Sequence, residues 1–267
     1  MRAENPIGIF DSGIGGLSVL KEIRKILPFE SVCYFADSRN CPYGSMDKIE
    51  TLSLTKKNIA FLLKQKCKII VIACNTVTAV AIENLRSEYN VPFVGMEPAL
   101  KSAVMQTRTK KVGILATENT FNGRLFKNTF EKYAEGIEVF VQPGFGLVEL
   151  VENQNYETQE VKILLEKYIN PMIEQGADTI VLGCTHYPFL TKTIQNITGS
   201  NVMIIDPSDA VAIQTRRVLT QENLIEKTQK EPDMNFFTTG SLKIAQGFLA
   251  CTSDIPYELF QLTEESL

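Results

Sequence analysis

The chain has 267 residues, 44% of them hydrophobic and 22% charged, and carries a net charge of −4. That length supports one large core or two small ones, and the acidic balance offers no basic face to a phosphate backbone, which argues against nucleic acid as a partner. No apolar run approaches a membrane span, and no signal-peptide core follows Met1, so no membrane partner and a cytoplasmic location are expected. The six cysteines (33, 41, 67, 74, 184 and 251) contain no C-x-x-C pair and no finger-like spacing, and His186 is the one histidine. A zinc-hydrolase centre and a disulfide framework are therefore not expected, and no metal site is predicted.

In chain order, Pro6–Phe10 reads as a short strand ending at Asp11-Ser12-Gly13. Gly13-Ile14-Gly15-Gly16 then turns into an amphipathic helix, Leu17–Leu27, stopped by Pro28. Such a turn lets backbone N–H groups approach an anion at a helix N-terminus. The spacing is not G-x-G-x-x-G and no Lys-Ser/Thr follows, so the turn suits a carboxylate better than a nucleotide, or is a tight turn and nothing more. Ser31–Asp37 is the second strand. The polar loop with Cys41-Pro42-Tyr43-Gly44 is a candidate to close over a ligand, and a long helix, Met46–Gln65, follows.

Next come a strand ending at Cys74, a helix over Val77–Tyr89 and a strand over Pro92–Met96, the alternation of a doubly wound α/β unit. Glu97-Pro98 opens a new helix and a new domain. Strands are predicted at Lys111–Thr117, Gly136–Gln142, Thr179–Gly183 and Val202–Ile205, with Thr120 capping a helix, Leu147–Glu152 a helical turn, Glu157–Gln175 a helix and another helix from Pro188. After Ser208 a helix, a strand at Asn235–Thr238 and a helix from Ser241 remain. Connections near 97 and 207 let the tail return to the first unit. The expected fold is thus α/β, with two similar doubly wound domains, mostly parallel sheets and the active site in the cleft between them. Residues 1–97 plus 208–267 form the Cys74 side and 98–207 the Cys184 side.

Two stretches are versions of each other: Ile69-Ile70-Val71-Ile72-Ala73-Cys74-Asn75-Thr76 and Thr179-Ile180-Val181-Leu182-Gly183-Cys184-Thr185-His186. Each is an apolar run of the kind buried on both faces of a parallel sheet, then a cysteine and polar residues at the strand's carboxyl end, where open sheets place ligand chemistry. A single cysteine there is most often a small core hydrophobe. The same context twice, with polar side chains after each, favours a site. Two thiols across a cleft suit inversion of a carbon stereocentre, which needs a base on one face and an acid on the other. Asp11 and His186, at or just beyond strand ends, are placed to set the two protonation states.

The chain resembles the glutamate racemases of the cofactor-independent aspartate/glutamate racemase group. The resemblance rests on Gly8–Leu17 (GIFDSGIGGL), Cys41-Pro42-Tyr43-Gly44, Ala73-Cys74-Asn75-Thr76 and Leu182–Pro188 (LGCTHYP), and covers essentially the whole chain. It implies interconversion of L- and D-glutamate without pyridoxal phosphate, flavin or metal, D-glutamate for peptidoglycan as product, and a homodimer. It further implies that Cys74 takes the α-proton of D-glutamate with help from Asp11, and Cys184 that of L-glutamate with help from His186 and Glu152. Asp11, Ser12, Tyr43, Gly44, Asn75, Thr76, Thr185 and His186 would hold the substrate, with Thr117 and Thr120 beside them. The segment Val141–Val151 departs from the family pattern, which leaves Glu149 and Glu152 both open as the partner of His186. Aspartate racemisation, with a shorter pocket, and a binding protein without turnover are the alternatives. Binding alone needs neither thiol. Cys33, Cys41, Cys67 and Cys251 are read as structural.

Overall fold

The computed structural model describes residues 1–97, 99–252 and 256–263, with 251 and 252 by backbone alone. Pro98, expected to open the second domain's first helix, and the side chain of Cys251 lie outside the described residues.

The strands Ile7–Asp11 (β1), Val32–Ala36 (β2) and Ile69–Ile72 (β3) are buried at every position, as strands covered on both faces must be. They alternate with helices Leu17–Ile26 (α1), Lys48–Lys64 (α2) and Asn75–Glu88 (α3), and Phe93–Gly95 (β4) closes this set. Asp47 starts α2 by accepting from the Ile49 and Glu50 N–H groups. Helix Leu100–Gln106 (α4), strand Lys111–Ala116 (β5), helices Glu118–Phe121 (α5) and Arg124–Tyr133 (α6), and strand Glu138–Pro143 (β6) come next. Then follow Leu147–Glu152 (α7), Gln159–Glu174 (α8), Thr179–Gly183 (β7), Thr191–Thr198 (α9) and Met203–Ile205 (β8). Ser208–Gln221 (α10), Met234–Thr238 (β9), Leu242–Thr252 (α11) and Glu258–Gln261 (β10) complete the described chain.

Two sheets result, one six-stranded in the order β10-β9-β2-β1-β3-β4 and one four-stranded in the order β6-β5-β7-β8. Every pairing among the described strands is parallel, so the fold is α/β as the alternation predicts. The cores β2-β1-β3-β4 and β6-β5-β7-β8 have the same order, which makes the internal repeat topological as well as sequential. The tail returns to the first sheet: β9 pairs with β2, and α10 packs on α1.

Some elements differ from the sequence reading. The edge strand β10 was not foreseen; its positions are mostly exposed, so burial patterning gives it little signal. Thr120 caps no helix but sits within α5, and Gly123 separates that single turn from α6. Helix α3 begins at Asn75 rather than Val77, which places Asn75 and Thr76 in its first turn. The strand β6 runs through Pro143, tolerated because β6 lies at the sheet edge.

Candidate active site

In each sheet the chain leaves the first strand to one side and returns on the other, so a switch point opens between the carboxyl ends of β1 and β3 and between those of β5 and β7. Crevices of this kind are where open α/β sheets bind ligands. Asp11 ends β1, Cys74 follows β3, Thr117 follows β5 and Cys184 follows β7. Ser12, Tyr43, Gly44, Cys74, Asn75, Thr76, Thr117, Cys184, Thr185 and His186 line one shared cavity with Pro42 and Val148. Room for water centres in it is about 10 Å³, enough for about one water molecule. The cleft is therefore closed.

On the Cys74 side, Ser12 Oγ lies 3.4 Å from Cys74 Sγ. Asp11 is fully buried and its Oδ2 accepts from Gly16 N at 2.8 Å. Burial pushes the Asp11 carboxyl up to about 6, a rise that the charge of His186 and the Gly16 N–H partly offset. Burial also raises the Cys74 thiol to about 12; the nearby Asp11 adds to this, and the Ser12 hydroxyl opposes it. Cys74 in the closed cleft is a thiol, an acid in waiting.

The Cys184 side is built differently. His186 Nδ1 stands 3.8 Å from Cys184 Sγ, and His186 Nε2 stands 2.5 Å from Glu152 Oε1. Burial alone would push the imidazole down. Hydrogen bonds to Cys184, Cys41 and Glu152, with the Glu152 charge, outweigh it and hold His186 well above its ordinary range. The ring is an imidazolium beside Cys184. Of the two open carboxylates, Glu152 is the one on His186, while Glu149 is exposed.

The glycine-rich turn explains why Glu152 can be there. Ile14 N donates to Glu152 Oε1 at 2.8 Å. A Cβ at Gly13 would lie 2.0 Å from that oxygen, and one at Gly15 would lie 2.6 Å from His186 Nδ1. Only glycine permits this approach. The turn does hold a carboxylate, and it is the protein's own.

The remaining residues divide by what their polar atoms do. Asn75 Oδ1 is buried with no hydrogen-bond partner, an acceptor waiting at the cavity wall. Thr76 Oγ1 and Thr117 Oγ1 are 2.8 Å apart, and Thr117 is again 2.8 Å from Thr120 Oγ1, a hydroxyl chain that crosses between the sheets. Thr185 Oγ1 lies 3.4 Å from both Asp11 oxygens. Gly44 brings its loop against Thr117, whose Cβ would be 2.9 Å from an added methyl. Tyr43 lines the cavity. Its hydroxyl instead donates to Asp37, which also accepts from Asn58 and Thr239.

Sequence reasoning missed three contributors. Asp37 anchors the Tyr43 loop; its place at the end of the second strand was the available signal. Asn119 Nδ2 donates to the carbonyls of Tyr43 at 3.2 Å and Met46 at 2.8 Å, tying the second sheet's helices to the first sheet's loop. Cys41, read as structural, lies with Glu152 and His186 so that one ligand atom of each is within 4.8 Å of the others. Cys33 and Cys67 are buried together in the core, away from the cavity.

Known proteins resemble this chain along its length. The Asp/Glu/hydantoin racemase family model matches residues 7–215. A glutamate racemase from Herpetosiphon aurantiacus is 42% identical over 237 residues, 89% of this chain and 93% of that protein. The crystal structure of glutamate racemase isoform RacE1 from Bacillus anthracis superposes with a TM-score of 0.87 at 30% identity, covering 98% of this chain and 99% of that one. A glutamate racemase from Francisella tularensis, solved in complex with D-glutamate, superposes at 0.84 with 28% identity, covering 99% and 100%. A family match across most of the sequence and a relative this similar over nine-tenths of it make the chain a member of the Asp/Glu/hydantoin racemase family.

Proposed function

We propose that this protein interconverts L- and D-glutamate by moving a proton on and off the α-carbon between Cys74 and Cys184. The observation that carries the reading is that both thiols line one closed cavity, each beside its own proton partner: Asp11 and Ser12 for Cys74, His186 for Cys184.

In the L-to-D direction, Cys184 as thiolate removes the α-proton, its charge balanced by the neighbouring imidazolium. The Cys74 thiol delivers its proton to the opposite face. Cys184 is left as a thiol and Cys74 as a thiolate, and after product leaves, proton exchange through the buried Asp11 and His186 restores the starting state. The reverse reaction begins from the Cys74 thiolate, with Asp11 as the group that accepts its proton. A substrate carboxylate at the N-terminus of α3 would meet unpaired backbone N–H groups and the positive end of the helix dipole. The unpartnered Asn75 Oδ1 is suited to the substrate ammonium. Fixed dipoles in a closed, dry site stabilise the carbanion more than water would.

Glutamate is the substrate on the strength of the relatives' names, and the D-glutamate formed supplies peptidoglycan. Residues 1–97 with 208–267 and residues 98–207 act as two bodies that part to admit it. We assign the enzyme to the cytoplasm as a homodimer, following the family resemblance. Among the described residues no helix is long and apolar enough to cross a membrane.

The deciding experiment follows α-deuterium uptake by proton NMR and optical rotation by circular dichroism in D₂O, with both enantiomers of glutamate and aspartate. Racemisation of glutamate that either Cys74→Ser or Cys184→Ser lowers by at least about 10³-fold is expected, since each substitution removes an acid/base partner. Binding without exchange would overturn the enzyme reading, and turnover of aspartate alone would change the substrate.

A further inference from the structure

Among the described residues, Cys41 is the one thiol near the cavity that the two-thiol mechanism does not use. It comes from the loop before Tyr43, Glu152 from the end of α7, and His186 from the loop after β7. Three separate segments thus bring a thiol sulfur, a carboxylate oxygen and an imidazole nitrogen within 4.8 Å of one another. From this juxtaposition we propose that Cys41, Glu152 and His186 form a site for a zinc ion, which binds in the closed cleft and shuts the enzyme down.

The donor set selects the ion. A sulfur, a nitrogen and a single carboxylate suit zinc, whereas magnesium and calcium demand oxygen throughout. Around a tetrahedral zinc, ligand atoms sit roughly 3.3–3.8 Å apart. His186 Nε2 and Glu152 Oε1, at 2.5 Å, would separate by about 1 Å as the metal replaces the proton they share. Cys41 would move inward by no more than a similar amount, and it is half-buried, within reach of the surface. Water takes the fourth position.

The shell around these ligands is already in place. Ile14 N donates to the same Glu152 oxygen that faces His186 and so fixes the carboxylate in place. With Nε2 on the metal, His186 Nδ1 stays directed at Cys184 and Thr185, the outer contact that commonly fixes a ligating imidazole. A histidine held to zinc through Nε2 cannot take a second ring proton, so it cannot be the imidazolium that balances the Cys184 thiolate. This inhibitory consequence rests on the role proposed above for His186; binding of the metal does not.

Cobalt(II) tests the site directly, because a cysteine ligand gives it a thiolate charge-transfer absorption in the near ultraviolet. One equivalent should produce that band in the wild-type protein and in Cys74→Ser, and zinc should displace it. Cys41→Ser should lose the band and bind zinc at least tenfold more weakly, with its fold checked by circular dichroism. Glu152→Gln, which keeps the sulfur, should retain the band and weaken affinity. No band in the wild type, a band undiminished in Cys41→Ser, or undiminished affinity in Glu152→Gln would overturn the site. Zinc should also inhibit racemisation, reversibly on chelation. Stoichiometric binding through Cys41 without inhibition would leave the site standing and overturn the part assigned to His186.

Discussion

The backbone N–H of Ile14 donates to Glu152 Oε1 at 2.8 Å, although Ile14 follows β1 of the six-stranded sheet and Glu152 ends the helix after β6 of the four-stranded one. The same oxygen holds His186 Nε2. A charge on the Cys184 side is thus fixed by a backbone N–H that follows a strand of the other sheet. Thr185, reaching Asp11, makes the reciprocal contact. Each half supplies a thiol to the cavity and also holds an ionisable side chain from the other half.

Replacing the carboxylate tests that coupling. Glu152→Gln keeps the shape but removes the charge that holds His186 as imidazolium, so Cys184 loses its electrostatic support. Loss of a positioned acid/base partner costs about 10²–10⁴-fold. Because the two enantiomers of glutamate have equal free energy, kcat/KM must fall equally in both directions. The asymmetry appears elsewhere: the α-deuterium isotope effect should rise more with L-glutamate, whose α-proton the proposed mechanism gives to Cys184, than with D-glutamate. An equal change with both enantiomers would remove Glu152 from the Cys184 side.

Gly13→Ala should act at the same point without replacing a polar group. Its Cβ would lie 2.0 Å from Glu152 Oε1 and 3.0 Å from His186 Nε2, so the carboxylate must shift. A displacement near 1 Å costs on the order of 10²-fold in rate. The control is Gly136→Ala, at φ +71° with open space around it, which should lose stability by about 1 kcal/mol and leave kcat/KM unchanged. Equal kinetics for the two variants would show that the tight approach at Gly13 is only packing.

How much of this was readable in the residues depends on the distance over which each contact acts. Asp11, Cys74, Thr117 and Cys184 stand at strand ends because apolar runs stop there, a local pattern visible without coordinates. The repeated β-order follows from the same alternation of strand and helix. Glu149 and Glu152 could not be separated, because they lie three apart on one short helix and only the approach of Ile14 from the other sheet tells them apart. Cys41 stands in a loop marked as a candidate to close over a ligand, but its thiol reads as structural, since a lone thiol becomes notable only when His186 and Glu152 arrive from elsewhere in the chain. Tyr43 was visible as a loop aromatic, but the turn of its hydroxyl toward Asp37 is a property of packing.

Asp11 predicts a pH signature in stability. Its carboxyl stands at about 6 in the fold against an ordinary 3.8, so the folded state binds the proton more tightly than the unfolded one. Stability from this group is complete below pH 4 and is lost as pH rises through about 6. At pH 7 the ionised group costs the fold at most about 3 kcal/mol. Asp11→Asn, whose amide oxygen can still accept from Gly16, should therefore match the wild-type Tm near pH 4 and exceed it near pH 7. A constant offset at both pH values would mean that Asp11 is not a buried, strained charge.

Entry of substrate is the last step the geometry constrains. A cavity with room for about one water must widen to admit an amino acid, and Asn119 is a latch across it. Its side-chain amide holds the Tyr43 and Met46 carbonyls, two hydrogen bonds of about 0.5–1.5 kcal/mol each. In the open form water satisfies those carbonyls, so Asn119→Ala should weaken closure rather than the fold as a whole. We expect kcat/KM to fall about tenfold, equivalent to about 1.4 kcal/mol of lost closure, with the change carried by a higher KM and kcat held or raised as product leaves more easily. Steady-state kinetics in both directions, repeated in added viscogen, measure this. A fall in kcat at unchanged KM would place Asn119 in the chemistry instead of the latch.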